Sequence, residues 1–426
     1  MNGSERVRVD PLATAFLDDL DTLSSIGATP GGGVHREAAS PADGETRRWF
    51  CSWLSAHGFT TVVDEIGNIF GLIELVPGAP FILAGSHLDS QPTAGRLDGA
   101  YGVVAAAHAA LTVCRAVSEQ SLTPRFNLAV VDWFNEEGSR FTPSVMGSGV
   151  FAGKLNKEQS LRAKDSDGIS VAEALEGIGF LGTQRPPEVA AYSEIHIEQG
   201  RTLEDSRNSI GIVEANWAVA KFDLTVIGAQ SHTGATLLDD RCDALLAAAT
   251  LVVAVREIAA RATPGKLLAS VGRLSVYPNS PVVVPSRVKM AIDIRSGDET
   301  LLAEAVDALT HKFDEIEKAE GVEIGRQDTT ARPAVAFPES GIQLAEAVAK
   351  SLGLPYRKMA TRAGHDSIHM NSIVPTIMSF VPSKNGISHN EAEDTDDVDL
   401  VNGVYYFSEV LKRLVSGALQ TAKDNS

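Results

Sequence analysis

Histidine and carboxylate side chains follow several apolar segments of the chain, and both types of side chain bind divalent metal ions. They are His87 and Asp89 after FILAGS, Glu136 and Glu137 after LAVVDW, His196 at the end of YSEIHI, and His389 after PTIMSFV. A further carboxylate, Asp98, lies in the glycine-flanked turn GRLDGAYG, before a predicted helix. These ligands suit two zinc-like ions, which lower the pKa of water and polarise a carbonyl group, so the chemistry would be hydrolysis.

Each of these residues taken alone has a simpler explanation. A single histidine after a strand is usually a hydrogen-bonded loop residue, an aspartate before a helix is usually its N-cap, and adjacent glutamates usually face solvent. The combination favours a metal site, because the carboxyl ends of the strands of an open α/β sheet converge on one crevice.

The elements that must position these residues form an alternating pattern in the first half of the chain. Strands are predicted at Phe81–Ser86, Phe126–Trp133 and Tyr192–Ile197, and helices at about Glu45–Ala56 and Gly102–Cys114. Such alternation is typical of an α/β domain with a mixed, largely parallel sheet.

The pattern changes at about Trp217, where a segment of different topology begins. The predicted elements, in order, are a strand in WAVAKFDLTVIG, a helix at Asp239–Ala260, strands at Lys266–Tyr277 and Val284–Ile294, a helix at about Glu299–Ala319, and a short strand near Val322–Arg326. This β-α-β-β-α-β order is that of ferredoxin-like domains. The prediction is therefore a catalytic domain made of residues 1–216 and 334–426, with an inserted α+β domain at 217–333.

Composition restricts the partners that this protein could have. The chain has 426 residues and a formal net charge of −18, which argues against a nucleic-acid-binding surface because phosphate is bound mainly by clustered Lys and Arg. Its longest apolar stretches, Tyr101–Cys114 and Ala244–Val255, are shorter than the roughly 20 residues that cross a bilayer. They are interpreted as buried helices, and no membrane partner is expected.

The cysteines and the amino terminus predict a cytoplasmic location. Cys51, Cys114 and Cys242 lie far apart, outside any CxxC spacing, and the opening segment MNGSERVRVDPLATAF lacks the apolar stretch of a secretory signal.

Several motifs resemble those of one family of enzymes. They are GGGVHRE, DEIGNIFG, GSHLDS, GRLDGAYG, NEEGSRF, HIEQG, SHTGA, DIRS, AGHDS and GISHNEAE, which span roughly residues 30 to 393. They are similar to motifs of the zinc amidohydrolases that comprise N-carbamoyl-L-amino-acid hydrolases, β-ureidopropionases and allantoate amidohydrolases, within the aminoacylase/carboxypeptidase superfamily. Asp98-Gly99 stands where many peptidases of that superfamily carry Asp-Asp, which favours the carbamoyl-hydrolysing group.

The resemblance assigns a role to each metal-site candidate. The implied ligands of two divalent ions per subunit are His87, Asp98, Glu137, His196 and His389, with Asp98 bridging both ions. Glu136 is implied as the general base, and Asp89 as the acceptor that orients the His87 imidazole. Zn²⁺ is the favoured ion, and the same ligands accept Mn, Co or Ni. No nucleophilic Ser or Cys is then needed, and the chain has no GxSxG motif.

The resemblance also implies residues that bind a small carboxylate-bearing substrate. Arg295 in DIRS would bind the carboxylate through its guanidinium, whereas its simpler interpretation is a surface ion pair on a strand. His232, Asn279 and Gln199 would hydrogen-bond the reacting group. Because the inserted domain of this family forms a dimer contact, a homodimer with shared sites is implied.

The implied reaction is hydrolysis of an N-carbamoyl-L-amino acid to the amino acid, CO2 and ammonia. Two related alternatives are an allantoate amidohydrolase and an aminoacylase or dipeptidase that cuts an ordinary amide. Ammonia release separates carbamoyl hydrolysis from acyl-amino-acid cleavage. A third alternative, a catalytically silent binding protein, is disfavoured because such a protein has no chemical need for Glu136.

Overall fold

The computed structural model describes residues 10–419. The first nine residues, which belong to the opening segment MNGSERVRVDPLATAF, therefore lie outside the described residues. The helices are α1 (Pro11–Ser25), α2 (Pro41–Ala56), α3 (Ala100–Ser118), α4 (Met146–Phe151), α5 (Lys157–Arg162), α6 (Val171–Ile178), α7 (Thr202–Ser206), α8 (Ala244–Arg261), α9 (Glu299–Glu320), α10 (Glu339–Ser351), α11 (Asp366–Met370) and α12 (Asp397–Val415). The strands are β1 (Thr60–Val63), β2 (Ile69–Ile73), β3 (Phe81–His87), β4 (Asn127–Trp133), β5 (Val189–Ile197), β6 (Ile210–Asn216), β7 (Ala218–Ile227), β8 (Ser231–His232), β9 (Leu267–Tyr277), β10 (Val283–Val284), β11 (Arg287–Ser296), β12 (Glu323–Arg332), β13 (Tyr356–Thr361) and β14 (Thr376–Val381).

The chain forms two compact units. Of the described residues, the first unit consists of residues 10–214, Phe337–Met359 and residues 364–419. The second unit consists of Ala215–Ala336 and Ala360–Ala363.

The first unit is built on an eight-stranded sheet in the order β1-β2-β4-β3-β5-β14-β6-β13. Its centre is parallel, since β4, β3, β5 and β14 pair in parallel, whereas β1, β2 and β6 join antiparallel. This mixed sheet confirms the predicted fold class. The predicted strands Phe81–Ser86 and Tyr192–Ile197 are present and extend to His87 and back to Val189.

The central strands are covered on both faces, which explains why they are continuous apolar segments rather than alternating ones. Every residue of β4 is buried. The helix α3 has the length and composition of a membrane span, but 67% of its most apolar window is buried inside the protein. It packs against β3, β5 and α12 as a core helix, in agreement with the interpretation of Tyr101–Cys114.

The second unit is a four-stranded antiparallel sheet in the order β12-β7-β11-β9, with α8 and α9 packed against it. The two short strands β8 and β10 pair with each other beside this sheet. Its core contains Phe222, Leu251, Met290 and Phe313. The main strands and helices follow the predicted β-α-β-β-α-β order.

Several boundaries differ from the sequence prediction, and three of the differences lie in the second unit. The helix predicted at Asp239–Ala260 starts at Ala244, because the Asp243 side chain accepts the N–H groups of Leu245 and Leu246 and caps it there. The last strand continues to Arg332, well beyond the predicted Val322–Arg326, because it pairs with β7 from Ile227 to Val219. The second unit also includes Ala360–Ala363, since Thr361 accepts a backbone hydrogen bond from Trp217.

Candidate metal centre and active site

The candidate metal ligands of the first unit lie where its parallel strands end. His87 is the last residue of β3, His196 lies near the end of β5, and Glu136 and Glu137 follow β4 after a short turn. His389 lies in the loop after β14, and Asp98 precedes α3. The sheet order therefore brings segments that are distant in sequence to one edge.

Asp98 joins two groups of potential ligands. Its Oδ1 lies 3.0 Å from Nε2 of His196 and 3.7 Å from Nε2 of His87. Its Oδ2 lies 3.1 Å from Nε2 of His389, and that nitrogen lies 3.4 Å from Oε2 of Glu137. Within each group the ligand atoms all lie within 4.8 Å of one another. The two oxygens of Asp98 thus face different groups.

The two buried imidazoles are oriented for binding through Nε2. Nδ1 of His87 lies 3.0 Å from the carbonyl oxygen of Asp89, and Nδ1 of His196 lies 2.9 Å from that of Ile197. Since a carbonyl oxygen only accepts, Nδ1 carries the proton and Nε2 keeps its lone pair. This arrangement is common for metal-binding histidines.

The carboxylate of Asp89 holds the backbone of the glutamate pair. Its oxygens accept the N–H groups of Glu136, at 3.1 Å, and Glu137, at 3.3 Å. One of them lies 3.6 Å from Nδ1 of His87, farther than the Asp89 carbonyl oxygen. The role expected for Asp89, orientation of His87, therefore involves its backbone as well as its side chain.

Crowded acidic groups make this region suited to cations. Burial raises the pKa of Glu136 well above its usual range. The nearby Asp366 raises this pKa further, whereas His87 lowers it. Burial and repulsion from Asp98 raise the pKa of Glu137 to about 7. Burial would raise the pKa of Asp98 too, but the adjacent imidazoles of His196 and His389 hold the pKa well below its usual range. Divalent cations would stabilise these carboxylates in their charged form, so the donor set fits metal ions.

Glu136 lies beside this donor set but outside both ligand groups. Its Oε2 is 3.6 Å from Nε2 of His87. A carboxylate that lies near the metal ligands and belongs to neither group can accept a proton.

The other predicted site residues, apart from Gln199, belong to the second unit. Arg295 on β11 directs Nε and Nη2 to the two oxygens of Asp293, at 2.7 and 3.0 Å. His232 on β8 is exposed, and its Nδ1 accepts the N–H groups of Gly234 and Ala235, at 3.0 and 3.1 Å. Asn279 is exposed in the loop after β9, with φ of 56°.

Gln199 lies beside the metal ligands in the first unit. Its Nε2 donates to Oδ2 of Asp98 at 2.8 Å and to Oγ of Ser388 at 3.2 Å. Its side-chain oxygen is buried and has no hydrogen-bond partner among the described residues.

The model of peptidase family M20/M25/M40 matches residues 83–413 of the chain. The chain belongs to this family. A putative hydrolase of Mycolicibacterium smegmatis is 50% identical to it over 96% of this chain and 94% of the relative. The N-carbamoyl-L-amino-acid amidohydrolase of Rhizobium meliloti is 34% identical over 92% of each chain. A crystal structure of a hydantoinase/carbamoylase family amidase from Burkholderia vietnamiensis is 35% identical, covers 96% of this chain and 98% of its own, and superposes with a TM-score of 0.90.

Membership of the M20/M25/M40 family confirms the resemblance drawn from the motifs. The protein is a metal-dependent amidohydrolase that acts on carbon–nitrogen bonds other than peptide bonds.

Gly99 makes room for a candidate ligand in this M20/M25/M40 enzyme. A Cβ atom at position 99 would lie 2.4 Å from the His87 ring, and φ of Gly99 is 68°, in the left-handed region. The Gly99 N–H also donates to Nε2 of His196 at 3.0 Å. The Asp-Gly step of GRLDGAYG is therefore required by the packing beside His87.

Two further residues that hold the ligands were missed from the sequence. Gln91 donates from its side chain to Oε2 of Glu137 at 3.0 Å and to the Glu137 carbonyl oxygen at 3.2 Å. Glu393 accepts the N–H groups of Leu97 and Asp98, at 3.0 and 3.1 Å. Gln91 directly follows the motif GSHLDS, and Glu393 is the last residue of GISHNEAE. Their closeness to these motifs was the signal in the sequence that could have identified them.

Two more residues that were missed from the sequence, Glu194 and His365, lie behind the two buried histidines. Glu194 accepts hydrogen bonds from Oγ of Ser86 and from the N–H of Ser367, at 2.7 and 2.9 Å. The ring centroid of His365 lies 4.7 Å from that of His196. His365 belongs to AGHDS, whereas Glu194 lies inside a buried strand, where a carboxylate is unusual enough to signal a role.

Proposed function

We propose that this M20/M25/M40 enzyme hydrolyses N-carbamoyl-L-amino acids to the amino acid, CO2 and ammonia, with two divalent metal ions per subunit. The proposed ligands are His87, Asp98, Glu137, His196 and His389, with Asp98 as the bridge. The carrying observation is that the two oxygens of Asp98 face two separate ligand groups. Zn²⁺ is favoured by the mixed histidine and carboxylate set, which also suits Mn, Co and Ni.

The residues around these ions have separate roles in the proposed reaction. When bound, the ions supply Lewis acidity that lowers the pKa of the attacking water and polarises the scissile carbonyl. Glu136 takes the proton from that water and returns it to the leaving nitrogen, because its carboxylate is buried next to the ligands without belonging to them. Asp89 keeps Glu136 and Glu137 in fixed relative positions through their N–H groups.

Substrate recognition is assigned to four polar side chains. Arg295 would bind the substrate carboxylate through its guanidinium, and because its Nε and Nη2 hold the two oxygens of Asp293, the substrate carboxylate would have to displace Asp293. Because Nδ1 of His232 accepts two N–H groups, its proton lies on Nε2, which can donate to the oxyanion that develops on the carbonyl. The unpartnered oxygen of Gln199 can accept from the ureido N–H. Asn279, in the second unit, offers its side-chain amide for a hydrogen bond with the reacting group of the substrate.

The second unit is proposed to be a lid and dimerisation domain. Exposed apolar side chains lie on α8, among them Leu246 and Val253, at 50% and 56% exposure. The edge strand β9 exposes Leu268 and Leu274 as well. An apolar helix face next to an unpaired strand edge suits a contact with a second copy. The protein is proposed to act as a cytoplasmic homodimer.

Release of ammonia is expected from N-carbamoyl-L-amino acids in stoichiometric amount with the free amino acid. An N-acetyl-L-amino acid with the same side chain serves as the matched control, because its hydrolysis yields no ammonia. A substrate panel that includes N-carbamoyl-β-alanine and allantoate should be assayed with Zn, Mn, Co and Ni. Turnover of the N-acetyl compound in preference to the N-carbamoyl compound would instead support an aminoacylase, and preference for allantoate would support that alternative.

Two inactive variants are expected to restore each other if His232 and Asn279 act on the partner subunit. A variant that lacks His232 and one that lacks Glu136 would damage different parts of a shared site. After dissociation and reassembly, each heterodimer has one intact site, and a statistical mixture has about a quarter of the wild-type activity. Subunit exchange is verified with differently tagged chains. A mixture that stays inactive despite verified exchange would show that each subunit completes its own site.

A further inference from the structure

A buried cluster of charged side chains lies beneath the metal-ligand candidates of the first unit. It consists of Arg36, Asp43, Arg47, Asp89 and Asp132, each with at most 1% of its surface exposed. Apart from Asp89, none of them has a proposed part in the reaction. Burial of charges costs several kcal/mol per ion unless their partners are well placed, so the contacts inside the cluster indicate what it holds in place.

Arg47 of α2 is at the centre of this cluster. Its Nε lies 2.9 Å from Oδ2 of Asp43, and its Nη1 donates to the carbonyl oxygen of Gly67 at 2.7 Å. Its Nη2 lies 3.5 Å from Oδ2 of Asp132, an ion pair rather than a hydrogen bond. The guanidinium carbon lies 5.2 Å from the ring centroid of Phe134. Arg47 is therefore fixed on several sides, with one edge facing Asp132.

Asp132 connects Arg47 to the loop that carries the metal-ligand candidates. Its Oδ1 accepts the N–H of Leu88 at 2.9 Å, and Leu88 lies between His87 and Asp89. Asp132 also pairs with Ser86 in the β-ladder, so it contacts the β3 strand end on both sides of His87. A shift of Asp132 would be transmitted directly to the His87 backbone.

Asp89 carries the same constraint to the glutamates. Its carboxylate accepts the N–H groups of Glu136 and Glu137, at 3.1 and 3.3 Å. A continuous series of contacts therefore runs from Arg47 through Asp132 and the Leu88 amide to Asp89 and the glutamate pair.

We propose that Asp132, which is paired with Arg47, is a positioning residue of the metal centre that fixes His87 and Asp89 and, through Asp89, the glutamate pair. The inference rests on the metal-ligand set of the proposed function, whereas only the activity part of its test depends on the proposed reaction. A comparison with Asp43 separates this positioning role from a purely structural one. Asp43 is equally buried and its Oδ2 accepts from the same arginine, but its other donor is the N–H of Ala39, so it makes no hydrogen bond to His87, Leu88 or Asp89.

This difference supplies a matched pair of variants. Asp132→Leu and Asp43→Leu each remove one buried carboxylate from Arg47 and insert the same larger, similarly branched side chain, so both should lower the thermal midpoint of the metal-free protein. Only Asp132→Leu removes the acceptor of the Leu88 N–H. We expect the Co²⁺ affinity of Asp132→Leu to fall by about 10- to 100-fold, the range found when partners of metal ligands are removed, with a changed visible absorption spectrum of bound Co²⁺.

Asp43→Leu should keep the Co²⁺ affinity within about threefold of wild type, with the wild-type spectrum. In the Co²⁺-loaded enzyme, Asp132→Leu should lower kcat with little change in KM. Asp132→Asn keeps an oxygen that can accept the Leu88 N–H and should give a Co²⁺ affinity between those of wild type and Asp132→Leu. If Asp132→Leu does not fold, Asp132→Asn is compared with Asp43→Asn instead.

The proposal is overturned if the position-132 variant matches its position-43 control in Co²⁺ affinity and spectrum. Both measurements are made without substrate, so an error in the proposed reaction would not affect them.

Discussion

Exchange of Glu136 for glutamine is expected to lower kcat by about two to four orders of magnitude, the usual contribution of a general base, and to leave the metal content unchanged. Glutamine keeps the shape of the side chain but cannot take a proton from water. The glutamate is buried next to His87, and it belongs to neither ligand group. Activity is measured by ammonia release, and metal content by elemental analysis of the same sample.

Glu137→Gln is the matched control, because the two residues are adjacent and share the carboxylate of Asp89. Glu137 lies in the ligand group with Asp98 and His389, so its substitution should lower metal retention as well as activity. Equal metal loss in both variants would mean that the roles within the pair are assigned wrongly.

Removal of the metal is expected to abolish activity completely and reversibly. Without Lewis acidity the attacking water keeps its ordinary pKa, and the proposed hydrogen bond from His232 to the carbonyl oxygen does not replace the activation of that water. Exhaustive chelation followed by dialysis should give an inactive protein, and added Zn, Mn, Co or Ni should restore turnover.

Titration of the metal-free protein extends this experiment. Activity should increase with added ion until two equivalents per subunit are bound, in keeping with the two ligand groups joined by Asp98. Mock-treated protein carried through the same dialysis is the control. Full turnover by protein shown to contain no metal would refute the proposed mechanism.

Local patterns in the sequence were sufficient to locate the strands that carry the candidate site. The strands β3, β4 and β5 are covered on both faces, so they stand out as apolar segments, and polar residues at their ends are conspicuous. His87 and His196 were found in this way. The roles of the residues came from the resemblance, because strand ends do not distinguish a ligand from a base.

Other features depend on contacts between segments that are distant in the chain. Nothing near Arg47 in the sequence predicts that it faces Asp132, since they belong to a helix and a strand that meet only in the folded protein. The start of α8 was misplaced for a local reason, because a capping aspartate, Asp243, outweighs the helical pattern of the residues before it. Glu194 was missed because its partners, Ser86 and Ser367, come from separate segments.

Gly99 limits how this enzyme can be re-engineered. An aspartate in its place would recreate the pair found in many peptidases of the wider superfamily, but its Cβ atom would lie 2.4 Å from the imidazole of His87. Any substitution at position 99 alone therefore forces the His87 ring or the backbone at position 99 to move. Coordinated substitutions at position 99 and among the residues that pack against the His87 ring would be needed to keep His87 in place.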